Sequence, residues 1–308
     1  MDLSTLAYTH SGSSQLRMWG ILCAIGAVAF FAVLDTTSQL VGMAAPVLMV
    51  QWVRYTVQTL SASSLLLPQH GLAGLRVHRP RLQLLRALLM MCTTGLAFVS
   101  LRYVPVGDFT AIVMTIPVMV TLVSMVVLKE RVTAARWALV ALSFAGTLLV
   151  VHPGKTGFQL MWLLPFALAM VGTAFQVLTA HMMRFENGAT THFYSGLIGM
   201  LLTSVTLPFV WQSLPWDVWK LLLVIACASS VGHMLLIMAY QRAGAPLATA
   251  YQYGQLIFAM LGGYLVFGRV PDGLSLLGIA VIATCGVLGV WLTFQEGKAA
   301  TAVPVLDT

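Results

Sequence analysis

The chain has 308 residues, of which 59% are hydrophobic and only 8% are Asp, Glu, Lys or Arg. Soluble domains carry about 25% charged residues, so a soluble globular fold is excluded and lipid must be the main solvent. The formal charge of +7, from sixteen basic and nine acidic side chains, sits mostly between apolar runs, which argues for membrane orientation and against nucleic-acid binding.

A helix crosses the hydrocarbon core with roughly 20 apolar residues. Residues 1–16 are polar and predict a cytoplasmic segment; no small-residue cleavage site follows the first apolar run, so no signal peptide is expected. Runs and breakers then predict spans at 17–39, 46–67, 82–102, 106–128 and 133–151. A second set follows at 160–183, 190–211, 217–240, 246–267 and 273–294, with 295–308 as a cytoplasmic tail. The basic run Arg76–Arg86 predicts a loop anchored at anionic lipid. Eight tryptophans lie mostly near span ends, as an interfacial belt should. Cys23, Cys92, Cys227 and Cys285 lie in apolar runs without CxxC spacing and read as packing residues. No metal or cofactor is expected.

With the N-terminus in the cytoplasm, eleven basic residues fall inside, four outside (Arg102, Lys155, Lys220, Arg269), and Arg54 lies within the second span. That is the bias of the positive-inside rule, and it predicts both termini in the cytoplasm.

The stretches Leu101–Arg131 and Tyr240–Val270, about 139 residues apart, share one layout. Each has a short polar turn, an apolar run interrupted by Pro or Gly, and a charged end. Residues 17–151 and 160–294 therefore read as two related five-helix units. An odd number of spans per unit makes the two enter the membrane from opposite sides. The predicted fold is an all-α membrane protein with ten transmembrane helices in two inverted five-helix repeats.

Within the spans, Pro117 and the matched Gly254, with Gly262 and Gly263, are candidate points of bending; static kinks or close helix contacts are the alternative. Tyr251, Gln255 and Phe258 share one helical face at i, i+4, i+7, beside Gln252 and Tyr253. Thr110, Met114, Pro117 and Thr121 form a comparable face in the fourth span. These faces line a cavity or serve interhelical packing. Ionisable residues inside a membrane are functional candidates by default. His233 in the eighth span suits substrate contact or proton coupling. Asp35 and Arg54 pair with each other, meet a substrate's charge, or reach water near the outer interface. Gln176 is a milder candidate, and Glu130, between Lys129 and Arg131, is either a gate charge or a solvated helix end.

The segments LRYVPVGDFTAIVMTIPVMVTLVSMVVLKERV and AYQRAGAPLATAYQYGQLIFAMLGGYLVFGRVPD, the closing VVHPG, AVLDTTSQL and the run RVHRPRLQLLRALL together resemble the drug/metabolite transporter superfamily in its EamA-like ten-helix form. The likeness covers about residues 17–294 and is closest to the branch of amino-acid exporters and S-adenosylmethionine carriers. The glutamate the family carries after the fourth helix is Glu130; its second-half counterpart is Arg269. The resemblance implies a carrier in the bacterial inner membrane that exports amino acids or related small metabolites by alternating access, without a cofactor. Uptake or exchange of a larger metabolite such as S-adenosylmethionine is the alternative. With no nucleotide-binding P-loop, no ATPase subunit is expected; the partners are a small-molecule substrate and membrane lipid, with no nucleic acid. An intramembrane enzyme would need a nucleophile–base pair or metal ligands at one depth, and His181, His192 and His233 give no such spacing.

Overall fold

Short prolyl and glycyl connections divide the apolar sequence into helices, as the breakers predict. The computed structural model describes residues 14–127, 133–151, 160–183, 185–243 and 252–301. Its helices are α1 (Ser14–Val41), α2 (Val47–His70), α3 (Pro80–Leu101), α4 (Val106–Val113), α5 (Ile116–Val127), α6 (Ala134–Val151), α7 (Leu163–Met182), α8 (Gly188–Val210), α9 (Trp216–Ala243), α10 (Gln255–Phe267) and α11 (Gly273–Thr301). No strand occurs among the described residues. Starts and stops have local causes. Pro46 and Pro105 precede α2 and α4. Asn187 caps α8 by accepting from the Ala189 amide at 2.8 Å. Gly268, left-handed at φ 63°, ends α10 while the Arg269 amide reaches back to the Gly263 carbonyl at 3.2 Å.

Three sequence expectations change. The predicted span 106–128 is two half-helices, α4 and α5, separated by a turn at Met114–Thr115. The first and last helices are longer than the predicted spans 17–39 and 273–294, because α1 begins at Ser14 and α11 runs on to Thr301. Third, α2 does not belong to the five helices that are long and apolar enough to cross a membrane by length and composition. Its polar residues explain this: Gln51, Arg54, Gln58 and Thr59 lower its hydropathy, and all four are buried against other helices.

The bundle is polar inside and apolar outside, as lipid demands. Gln58 is among the largest fully buried side chains, whereas Phe209 is 87% and Trp216 77% exposed. Cys23 and Cys285 are buried, but Cys92 and Cys227 are exposed, correcting their reading as packed residues; all four are free thiols. The main helix pairs are α1 with α9, α2 with α8, α3 with α7, and α6 with α11. Small residues set the close crossings. At α6–α11 a Cβ on Gly146 would lie 3.0 Å from the Gly278 carbonyl oxygen. At α2–α8 the Tyr55 ring fills the space where Gly199 has no side chain.

Candidate functional site

Where α1, α2, α3, α7, α9 and α10 converge on the α4–α5 turn, they leave a cavity of about 160 Å³. Its walls are largely aromatic and aliphatic, including Phe31, Phe98, Phe109 and Phe175, and its polar lining includes Asp35, Arg54, Thr94, Gln176, His233, Gln252 and Gln255. Both helix breaks reach this cavity. Met114, which lines it, is the C-cap of α4, and Gln255, which also lines it, opens α10 directly after the turn Tyr253–Gly254. At such breaks the amide ladder shortens to three-residue bonds: Thr115 to Ile112 at 3.0 Å, and Leu256 to Tyr253 at 3.2 Å. Broken helices that line a cavity are the form in which irregular backbone is tolerated inside a membrane.

The polar groups are bonded into a frame. Gln255 Nε2 donates to Asp35 Oδ2 at 3.0 Å, joining α10 to α1. Arg54 Nη2 donates to the Ser229 hydroxyl at 2.7 Å. The carbonyl of the same Ser229 accepts from His233 Nδ1 at 2.8 Å. A carbonyl only accepts, so Nδ1 carries the proton and neutral His233 keeps its Nε2 lone pair. The His233 ring stands edge-on to Phe31, with centroids 5.0 Å apart. Gln252 is held by donating to the Tyr240 hydroxyl at 2.9 Å.

Seven of the residues singled out in the sequence therefore meet in one place: Asp35, Arg54, Met114, Gln176, His233, Gln252 and Gln255 line the cavity. Tyr253 and Phe258 do not. Tyr253 is buried in a cluster with Met114, Leu256 and Ile282, its ring against Gly286. Phe258 is half-buried and outside the lining. Tyr251 and Glu130 lie outside the described residues. Pro117 is the second residue of α5, so the break lies just before it rather than at it. Gly262 is a close crossing, since a Cβ there would collide with the Thr36 hydroxyl, whereas a Cβ on Gly263 would meet only Val106 at 3.5 Å. Asp35 and Arg54 are 7% and 5% exposed and line the cavity, so the reading that places them in water at the interface is corrected.

Arg86 needs the largest correction. Expected on lipid, it is 2% exposed inside the bundle. Its Nε donates to Thr179 Oγ1 at 2.9 Å, its Nη1 donates to Ser195 Oγ, and its guanidinium carbon lies 4.9 Å from the Phe175 ring centroid. A spacing signal was available: Gln83, Arg86, Met90, Thr94, Phe98 and Leu101 form the buried stripe of α3. Arg76, Arg79 and Arg81 lie off it and are exposed. The lining Phe31, Phe109 and Phe175 carried no such signal, because they are ordinary residues within apolar runs.

Around Arg86, one end of the bundle is tied across its two parts. Glu186 Oε1 accepts from the amides of His78 and Arg79, both at 2.9 Å, at the start of α3. Thr190 donates to the Gly74 carbonyl at 2.6 Å, Tyr194 to that of Leu75 at 2.8 Å, and Gln83 to Thr191 at 3.1 Å. At the opposite end a cleft of about 380 Å³ lies between residues 105–108 and 269–272.

Comparison with known proteins agrees with this architecture. Residues 18–152 match the EamA-like transporter family. The chain is 27% identical to a riboflavin transporter of Rhizobium johnstonii, over 93% of this chain and 94% of that one. It is 24% identical to an S-adenosylmethionine uptake transporter of Rickettsia felis (77% and 81% covered) and 25% identical to a pseudopaline exporter of Pseudomonas aeruginosa (86% and 94%). A solved crystal structure shares the fold at a TM-score of 0.66 and 15% identity, covering 92% of this chain and 99% of the other.

Proposed function

We propose, from the premise that this chain is a membrane transporter of the EamA-like family, that it exports amino acids or related small metabolites across a bacterial inner membrane. It does so as a secondary carrier, by alternating access between two inverted five-helix halves, residues 17–151 and 160–294. The observation that carries this reading is the cavity itself, at which the α4–α5 break of the first half and the turn before α10 in the second meet buried groups of both charge signs. Three regularities support the repeat. The turns at 114–115 and 253–254 are 139 residues apart, matching the sequence repeat. Pro68 and Pro208 sit near the ends of α2 and α8, the second helix of each half. Exchanging the halves also carries the α1–α9 pair onto α7–α3 and maps α2–α8 and α6–α11 onto themselves.

The tied end, bearing the loop 71–79 and Glu186, is the cytoplasmic one by the distribution of Lys and Arg. The captured state is then closed toward the cytoplasm, with Arg86 and Glu186 as gate residues. The ammonium of a solute meets Asp35 beside Gln255, and its apolar part rests on the phenylalanines. A volume of about 160 Å³ suits a compact solute, since pockets for drug-sized ligands measure about 300 Å³ or more. The names of the relatives favour a second reading, uptake of a larger metabolite such as riboflavin or S-adenosylmethionine, for which the cavity must widen on opening. Counterflow in proteoliposomes with labelled amino acids, S-adenosylmethionine and riboflavin decides between them. Exchange of amino acids without ATP is expected. Exchange of the larger solutes alone selects the second reading, and strictly ATP-dependent flux rules out both.

A further inference from the structure

Arg54 makes no direct ion pair among the described residues, although Asp35 of the same cavity lies near enough to interact with its charge. Arg54 is 5% exposed and lines the cavity. Its Nη2 is bonded to a neutral hydroxyl, that of Ser229, and its Nε is buried without a partner. No ion pair joins it to a carboxylate among the described residues. Asp35 lines the same cavity, but its Oδ2 is taken by Gln255. Arg86 adds a second cation behind Phe175, bonded only to the Thr179 and Ser195 hydroxyls. The buried guanidinium groups of Arg54 and Arg86 are thus both bonded to neutral hydroxyls. A desolvated charge costs several kcal/mol unless it is paired. The planar guanidinium fork fits a carboxylate in two-point contact.

We infer that Arg54 is the carboxylate-recognising residue of this cavity, so that the solutes carried are those bearing a free carboxylate, with their apolar remainder against Phe31, Phe98 and Phe109. This rests on the carrier reading above and adds to it the group that selects the cargo. The empty site keeps the cation on Ser229. A loaded site trades part of that weak bond for a charge-assisted one, so discrimination falls on the carboxylate rather than on size alone.

The test pairs each amino acid with its own carboxamide, which keeps the shape and removes the negative charge. Full-length protein in proteoliposomes is assayed by counterflow, using the amino acid it exchanges best. Wild type is expected to prefer acid over amide by about tenfold or more. In Arg54→Gln that ratio falls to within about twofold of one, as the cycle of charge removal on both sides requires. Arg54→Lys, with charge but no fork, lies between. A ratio of two fluxes does not depend on how much folded variant was reconstituted. A wild-type ratio near one, or an unchanged ratio in Arg54→Gln, overturns the inference. If wild type moves riboflavin, which has no carboxylate, and no carboxylate-bearing solute, the carrier reading stands and this inference falls. If no solute moves, both fall.

Discussion

Arg86 shows how a single residue can be costly to bury and still useful. Its bonds to Thr179 and Ser195 join α3 to α7 and α8, but neither partner is charged. Replacing a buried ion pair by apolar side chains of similar volume is often neutral or stabilising by about 1–4 kcal/mol, and removing Arg86 leaves only hydroxyl partners behind, with no orphaned charge. Arg86→Met is therefore expected to melt at or above the wild-type temperature in detergent. It is also expected to loosen the tied end, which a rise in the rate of thiol labelling at a cysteine placed at Thr191 would report. A lower melting temperature with unchanged labelling would mean that Arg86 serves stability alone. Gly262 makes the contrasting case. A methyl group there meets the Thr36 hydroxyl within a packed α1–α10 crossing, so Gly262→Ala should destabilise by about 1–3 kcal/mol through overpacking. Combining it with Thr36→Ala should recover most of the loss in thermal melts, because the clash is with that side chain.

At the scale of elements, the paired helix breaks are what the sequence announced, and it misplaced one of them. The interruption of both apolar runs was legible from Pro117 and Gly254 together with the 139-residue spacing. Gly254 also marks the position of its break, but Pro117 does not, because proline is tolerated in the first turn of a helix, where its missing amide proton has no partner to lose. Pro117 thus starts α5, and the turn falls at Met114–Thr115. Pro117→Ala removes the bias against continuing α4 into α5 while leaving the helix ends intact. Transport is expected to slow several-fold while the melting temperature changes little, as initial rates and melts of the purified variant can show; unchanged flux counts against a gating role. The cavity wall was legible at its ionisable and amide residues, which are conspicuous in an apolar run. It was illegible at Phe31 and Phe175, which differ from lipid-facing neighbours only in helix rotation. Phe258 shows the limit of face counting, since it shares a helical face with Gln255 yet lies outside the cavity lining. Tyr253 sits in the turn rather than in the helix, and there the 3.6-residue period no longer fixes direction.

For the whole molecule, the two ends of the bundle differ in kind. One is fastened across the halves by Glu186, Thr190, Tyr194 and Gln83, and the other holds a cleft between residues 105–108 and 269–272. The neutral bonds contribute only about 0.5–1.5 kcal/mol each and those to the Glu186 carboxylate about 1.5–3 kcal/mol, so the closed end is within reach of thermal opening, as a carrier cycle needs. If opening there is obligatory, tethering it must stop transport without touching the cavity. Thr190 donates to the carbonyl of Gly74 at 2.6 Å, so cysteines at these two positions lie within reach of a short cleavable thiol crosslinker. The exposed Cys92 and Cys227 would first be replaced by serine. Linked protein in proteoliposomes is expected to lose nearly all exchange and to recover it once the linker is cut. A pair placed at Gly107 and Pro271, across the cleft, should arrest the opposite half of the cycle, so each tether alone abolishes exchange. Full exchange with the Gly74–Thr190 tether intact would mean that solute never passes that end, and alternating access between the halves would have to be abandoned.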